Sequence, residues 1–192
     1  MNGHAVGVSV DRTGTFPDEH RPDLRVLRDP GRVAAVERLI AAGASGRGVQ
    51  RLTSLAARLL DAPCAQVSLL GESTQHVAAA VGTPWSPDAP RSPAEDSMCS
   101  VTVALARPFL VEDAAGHPWV HDLPPVTSGQ VSSYLGVVLT DAPGNILGSL
   151  CVYGGEPRSW TDAEVDVMTA LAEAVAEQLA DDADEQGRAF VW

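Results

Sequence analysis

The stretch SYLGVVLTDAPGNILGSLCVYGGEPRSWTDAEVDVMTALAEAVAEQLA, residues 133–180, decides the fold. Its first part alternates with a period of two. SYLGVVLT (133–140) and ILGSLCVY (146–153) therefore read as two central strands. Ala142-Pro143-Gly144-Asn145 between them fits a type II turn, with Pro at the second position and Gly accepting positive φ at the third. Then the period lengthens. Val165, Met168, Leu171, Ala172, Val175 and Leu179 make one helical stripe, and Thr161-Asp162-Ala163-Glu164 ahead of it has a capping-box pattern. Strand, tight turn, strand and capped helix imply an antiparallel sheet covered by a helix.

Working outward, CAQVSLL (64–70) and TQHVAAAV (74–81) form a second hairpin around Gly71-Glu72-Ser73. Leu52, Leu55, Ala56 and Leu59 give a helix over 47–61, and Val33, Val36, Leu39 and Ile40 give one over 31–42. Residues 82–95 carry Pro84, Pro87, Pro90 and Pro93 and read as a long loop. SMCSVTVALA (97–106) is a short buried helix with Ser97 as N-cap, and FLVE (109–112) is a short strand. Residues 113–131 are irregular. The expected organisation is a flexible arm at 1–30, an N-terminal helix at 31–44, an α+β domain at 45–182 and an acidic, flexible tail at 183–192.

Composition removes several classes of function. The 192 residues hold 25 Asp+Glu against 13 basic residues, all of them Arg, for a net charge of −12. Without lysine there is no Schiff base, no Walker-type phosphate lysine and no kinase-type Lys–Glu pair. The acidic balance argues against nucleic acid as a partner. No apolar run reaches the roughly 18 residues of a membrane span, and residues 1–30 lack the pattern of a signal peptide. Cys64, Cys99 and Cys151 form neither a disulfide framework nor a CxxC metal site, which implies a reducing, cytoplasmic setting.

Several strings in this order resemble a GAF domain, the small-ligand sensor module of bacterial signalling proteins. They are RLTSLAARLLDAPCAQVSLL (51–70), DSMCSVTVALARPFLVEDA (96–114), GHPWVHDLPPVTSG (116–129) and the stretch from residue 133 to 180. The resemblance implies an antiparallel sheet of about six strands with helices on both faces. It also implies terminal helices that pack together and often dimerise, and a ligand site closed by the segments at 83–106 and 113–131. Cyclic-nucleotide-binding members need an Asn-Lys-Phe-Asp-Glu constellation. The absence of Lys, with only Asn2 and Asn145 present, argues against that ligand. Bilin-binding members attach the pigment through a Cys frequently followed by His. Here Ser100 follows Cys99, which argues against bilin as well.

The candidate ligand-binding residues are Cys99, Thr102, Asp113, His117, Trp119, His121 and Tyr134. A Cys near a helix N-terminus has its thiolate favoured by the helix dipole; the plain alternative is a small buried hydrophobe. Cys64 and Cys151 fall in strands and read as core. His117 and His121 are spaced i, i+4, which on a helical turn can hold a metal or, through one His, a haem iron; the plain alternative is two surface histidines. Trp119, Tyr134 and Trp85 are possible pocket walls.

These residues imply a non-catalytic sensory module. It would bind a small molecule or sense redox state and signal through contact with a separately encoded protein, as a homodimer through its terminal helices. About 45 residues precede the domain and 12 follow it, so no output domain is expected on the chain itself. One alternative is a Cys-dependent enzyme of the free methionine sulfoxide reductase type, with Cys99, Glu112 and Asp113 as its chemistry. Nothing in the spacing brings two cysteines together for it. The other alternative is a metal or haem sensor through His117 and His121.

Overall fold

Two hairpins sharing one sheet fix the architecture, and the computed structural model places both as the alternation predicts. It describes residues 21–43, 45–82 and 91–189. Strands β1 (Cys64–Leu70), β2 (Thr74–Val81), β3 (Arg91–Pro93), β4 (Phe109–Val111), β5 (Ser133–Thr140) and β6 (Ile146–Gly154) form one sheet in the order β3-β2-β1-β6-β5-β4. Every neighbouring pair is antiparallel. The α+β expectation therefore holds. β3 emerges from the stretch read as a loop. It is a three-residue edge strand beside β2, where Pro93 costs no ladder bond on the open side. Residues 83–90, with Trp85, lie outside the described residues.

Because side chains alternate across a sheet, each strand feeds two cores. On one face Val67, Leu135, Leu150 and Val152 meet α1 (Pro30–Ala41), α2 (Arg47–Leu59) and α5 (Asp162–Ala189), which supply Val36, Val49, Met168 and Val175. On the other, Leu70, Phe109, Val111 and Cys151 meet α3 (Met98–Leu105), Trp119, Val120 and Leu123. Residues 124–127 add one short helical turn, α4 (Pro124–Thr127). Each fully buried Leu or Val contributes about 1.5–3 kcal/mol.

Three local expectations change. The arm does not remain free up to residue 30. Leu24–Arg28 forms a 3-10 helix whose Leu27 is buried, and residues 1–20 lie outside the described part. The cause is Arg32, whose guanidinium is buried and donates to the carbonyls of Leu27 at 2.6 Å, Leu70 at 2.5 Å and Gly71 at 3.1 Å. Nor does the chain fray at residue 183, because α5 runs to Ala189. Asp182 accepts the Gly46 N–H at 2.9 Å and Gln186 Nε2 donates to the Gly43 carbonyl at 3.2 Å, so the last turns hold the α1–α2 connection. Finally, the β5–β6 turn closes one residue early. The Gly144 N–H donates to the Asp141 carbonyl at 2.9 Å, which puts Gly144, at φ +95°, in the fourth position. The Asp141 carboxylate sets this register by accepting the Asn145 N–H at 2.7 Å.

The capping box at the start of α5 forms as read. Glu164 Oε2 accepts the Thr161 N–H at 2.8 Å, and Thr161 Oγ1 accepts the Glu164 N–H at 3.3 Å. Burial raises the Glu164 pKa, but the Thr161 donors and Arg158 outweigh it and hold the carboxyl below its usual range. A depressed carboxylate contributes stability above its unfolded pKa and loses it as pH falls through the folded value. Stability should therefore drop as pH falls below about 4.5, and Glu164→Gln should flatten that limb. Urea midpoints taken across the acid range read this directly. Parallel curves for the two proteins would remove Glu164 from the acid response.

Candidate functional site: a polar cavity on the α3 face

Sheet faces under a helix are normally apolar, and here one is not. On the α3 side the alternating positions are Gln66 and Ser68 of β1, Tyr134 of β5, and Ser149 and Cys151 of β6, all nine-tenths or more buried. Gln75 of β2 joins them. A cavity of about 550 Å³ opens above this floor. Met98 and Cys99 from α3 and Pro124, Pro125 and Val131 from the far side help to wall it, with Arg91 and Asp96 also on its lining. The volume is ordinary for a small-molecule pocket.

Each floor group is positioned by a local feature. Ser97 caps α3 by accepting the Cys99 N–H at 3.1 Å, which orients the first turn with Cys99 on the cavity lining. Tyr134 lies across Gly136, its same-face neighbour on β5. A Cβ at Gly136 would meet the Tyr134 hydroxyl and would sit 2.7 Å from Thr102 Oγ1, so only glycine leaves room for the phenol. The phenol reaches Thr102 Oγ1 at 2.8 Å and donates to Cys99 Sγ at 3.7 Å. Ser68 Oγ accepts from Gln66 Nε2 at 2.7 Å and from Gln75 Nε2 at 3.1 Å. The same serine oxygen lies 3.7 Å from Cys99 Sγ. Gln75 Oε1 is buried with no hydrogen-bond partner.

The sulfurs of Cys99 and Cys151 stand 3.9 Å apart. The Cys151 thiol donates to Cys99 and holds it below the ordinary thiol range. Burial opposes this, while Ser149, Ser68 and Tyr134 assist. Cys151 is pushed well above that range by Cys99 and by burial. Burial first, then the two neighbouring sulfurs, raise the Tyr134 hydroxyl. Of the two thiols, Cys99 is the one whose ionisation its neighbours favour.

Of the expected site residues, Cys99 and Tyr134 line the cavity, and Thr102 lies behind them on the phenol. The others gather elsewhere. His117 is buried edge-on against Phe109 and Trp119, with ring centroids at 5.4 and 5.5 Å, and Trp119 stacks on Phe109. His121 is exposed, with Nδ1 against the His117 carbonyl at 3.2 Å. The i, i+4 pair thus has one buried ring and one exposed ring. Among the described residues no group of three His, Cys, Asp or Glu could hold a metal ion. Asp113 is exposed and turns back to accept the Ala115 N–H at 3.1 Å, and Glu112 is exposed as well. Gln66, Gln75 and Cys151 are the residues that sequence reasoning missed. The available signal was polar side chains at every second position of otherwise apolar strands.

The GAF domain family model matches residues 47–179. The chain belongs to the GAF domain family. GAF domains are typically small-ligand sensing regulatory modules. A cyclic di-GMP phosphodiesterase of Pseudomonas aeruginosa is 32% identical over 110 residues, covering 57% of this chain; the chain spans only 18% of that protein's length. Among solved structures, the GAF domain of an Acinetobacter phosphoenolpyruvate-protein phosphotransferase superposes with a TM-score of 0.59 at 15% identity, over 83% of this chain and 99% of that one. The free methionine-R-sulfoxide reductase of Neisseria meningitidis superposes at 0.58 and 17% identity, over 84% and 89%. At such identities the likeness is one of GAF fold. No helix among the described residues is long and apolar enough to cross a membrane.

Proposed function

We propose that this GAF domain is a non-catalytic sensor whose ligand is a small, neutral molecule carrying an N–H or O–H donor, bound in the Cys99–Tyr134 cavity. The observation that carries this reading is Gln75 Oε1, a buried acceptor on the cavity lining without a hydrogen-bond partner. An unmet buried acceptor costs about 1–3 kcal/mol, which a donor from the ligand recovers. The enzyme reading loses support, because Glu112 and Asp113 are exposed and do not line the cavity. The metal reading loses support because no group of three His, Cys, Asp or Glu among the described residues could hold a metal ion.

Output is assigned to the terminal helices, as a homodimer or against a separately encoded signalling protein in the cytoplasm. Leu55 and Leu59 of α2 and Val167 of α5 leave apolar surface exposed there. A groove lined by Arg38, Glu173 and Glu177 between α1 and α5 carries both signs of charge. The experiment is a thermal-shift screen of small amides, nucleobases and amino acids, with mass followed by light scattering. A ligand at a hundred times its Kd stabilises by about 2.7 kcal/mol, or about 5–10 °C for a chain of this size. Gln75→Leu should abolish the shift. A shift that survives both Gln75→Leu and Tyr134→Phe, or a panel without effect on a folded protein, overturns the ligand reading. A monomer at all concentrations, with and without ligand, overturns the homodimer.

A further inference from the structure

The buried sulfur pair lines the proposed ligand cavity, and its geometry is that of a reactive dithiol. Cys99 comes from the first turn of α3 and Cys151 from the middle of β6, 52 residues apart, and their sulfurs meet at 3.9 Å on the cavity lining. The remaining cysteine is differently placed. Cys64 is half-buried and donates to the Gly82 carbonyl at 3.1 Å.

We propose that Cys99 and Cys151 are a hydroperoxide-responsive pair, with Cys99 the attacking sulfur and Cys151 the resolving one. The Cys99 thiolate attacks one oxygen of a hydroperoxide that has entered the cavity. An S–O bond forms, the O–O bond breaks, the sulfur is oxidised to a sulfenic acid, and the peroxide leaves as an alcohol or water. The leaving oxygen takes its proton from solvent or from the Tyr134 hydroxyl, 3.7 Å from Cys99 Sγ. Cys151 Sγ then attacks Cys99 Sγ. The S–S bond forms, the S–O bond breaks, and the departing hydroxide takes the Cys151 proton to become water. Two thiols and one hydroperoxide thus give a disulfide, an alcohol and water, and an external thiol resets the pair by exchange.

The neighbours fit these roles. Ser68, Ser149 and the Cys151 thiol favour charge on Cys99. The hydrogen bond to Cys99 is the leading reason that the Cys151 thiol is raised, ahead of burial and the Cys99 charge, so converting Cys99 to a sulfenic acid alters that restraint. Closing the sulfurs from 3.9 Å to a bond of about 2.05 Å draws α3 toward β6. Ser97 and Met98 travel with that helix and line the cavity, so oxidation reshapes the space in which the ligand would sit. The step needs only that the cavity admit a peroxide, and so it stands apart from the ligand reading.

The test uses the full chain with one equivalent of hydrogen peroxide, followed by alkylation. Cleavage after Glu95 and Glu112 places Cys99 and Cys151 on different peptides. The expected result is a loss of two hydrogens, a crosslink joining those two peptides, an alkylated Cys64, and full reversal by dithiothreitol. In Cys151→Ser, Cys99 should accumulate as a sulfenic acid that dimedone traps, and Cys151→Ala gives the same readout if the serine variant folds poorly. A crosslink through Cys64, separate over-oxidation of Cys99 and Cys151, or thiols that react only after denaturation would each overturn the pair. None of those outcomes alters the thermal shift of the reduced protein, which tests the ligand reading alone.

Discussion

Gly148→Ala should remove about 3 kcal/mol or more of stability, a large fraction of what a domain of this size possesses. Gly148 lies in β6 beside β1, the two central strands. A Cβ there would run into the Ser68 carbonyl oxygen and would stand 2.9 Å from its carbon and 3.0 Å from Leu69 Cα. These are backbone atoms of a strand buried on both faces, with no flexible end to swing away. Relief requires β1 and β6 to part, which opens both cores and tilts Ser68 away from Cys99. Urea unfolding with an unchanged slope and a much lower midpoint is the expected result. A change under about 1 kcal/mol would show that the strand pair yields locally.

Arg32→Met should cost about 2–4 kcal/mol and should leave a recognisable trace. The guanidinium is buried without a carboxylate hydrogen bond; its partners are carbonyls of the Leu24–Arg28 turn, of the end of β1 and its loop, and of Ile146 at the start of β6. Removing the charge relieves its desolvation, but four carbonyls lose a donor, at about 1–3 kcal/mol each where water cannot replace it. Lysine does not substitute, because a single ammonium lacks the planar fork that spans these acceptors. The trace is local. Leu27 should leave the core, and trypsin should cut the folded variant at Arg25 and Arg28 while sparing the parent. Equal protection in both proteins would mean that Leu27 alone anchors the segment.

Features set by short-range chemistry were legible in the sequence. Ser97 as N-cap, the Thr161–Glu164 box and the two hairpins all depend on neighbours within a few residues. Features set by distant partners were not. The turn at 24–28 exists because Arg32 reaches Leu70, 38 residues away. Cys151 reads as a strand cysteine until α3 brings Cys99 against it. His117 failed for the same reason in reverse: its spacing to His121 was real, but Phe109 and Trp119 claim the ring first. Cys99 and Tyr134 were legible because a helix start and a pocket-sized aromatic carry their own signals. The amides of Gln66 and Gln75 carried one too, as polar groups where the alternation called for apolar ones.

No lining residue of the cavity belongs to α1, α2 or α5. Between the cavity and those helices stands a single layer of peptide, in which Cys151 faces one side while Leu150 and Val152 face the other. An event at the sulfurs or at Gln75 can therefore reach α2 and α5 as a change in the twist of β1 and β6. Helix α1 has a second route, because Arg32 donates to the carbonyl of Leu27, which packs in the same core as Met98 and Cys99.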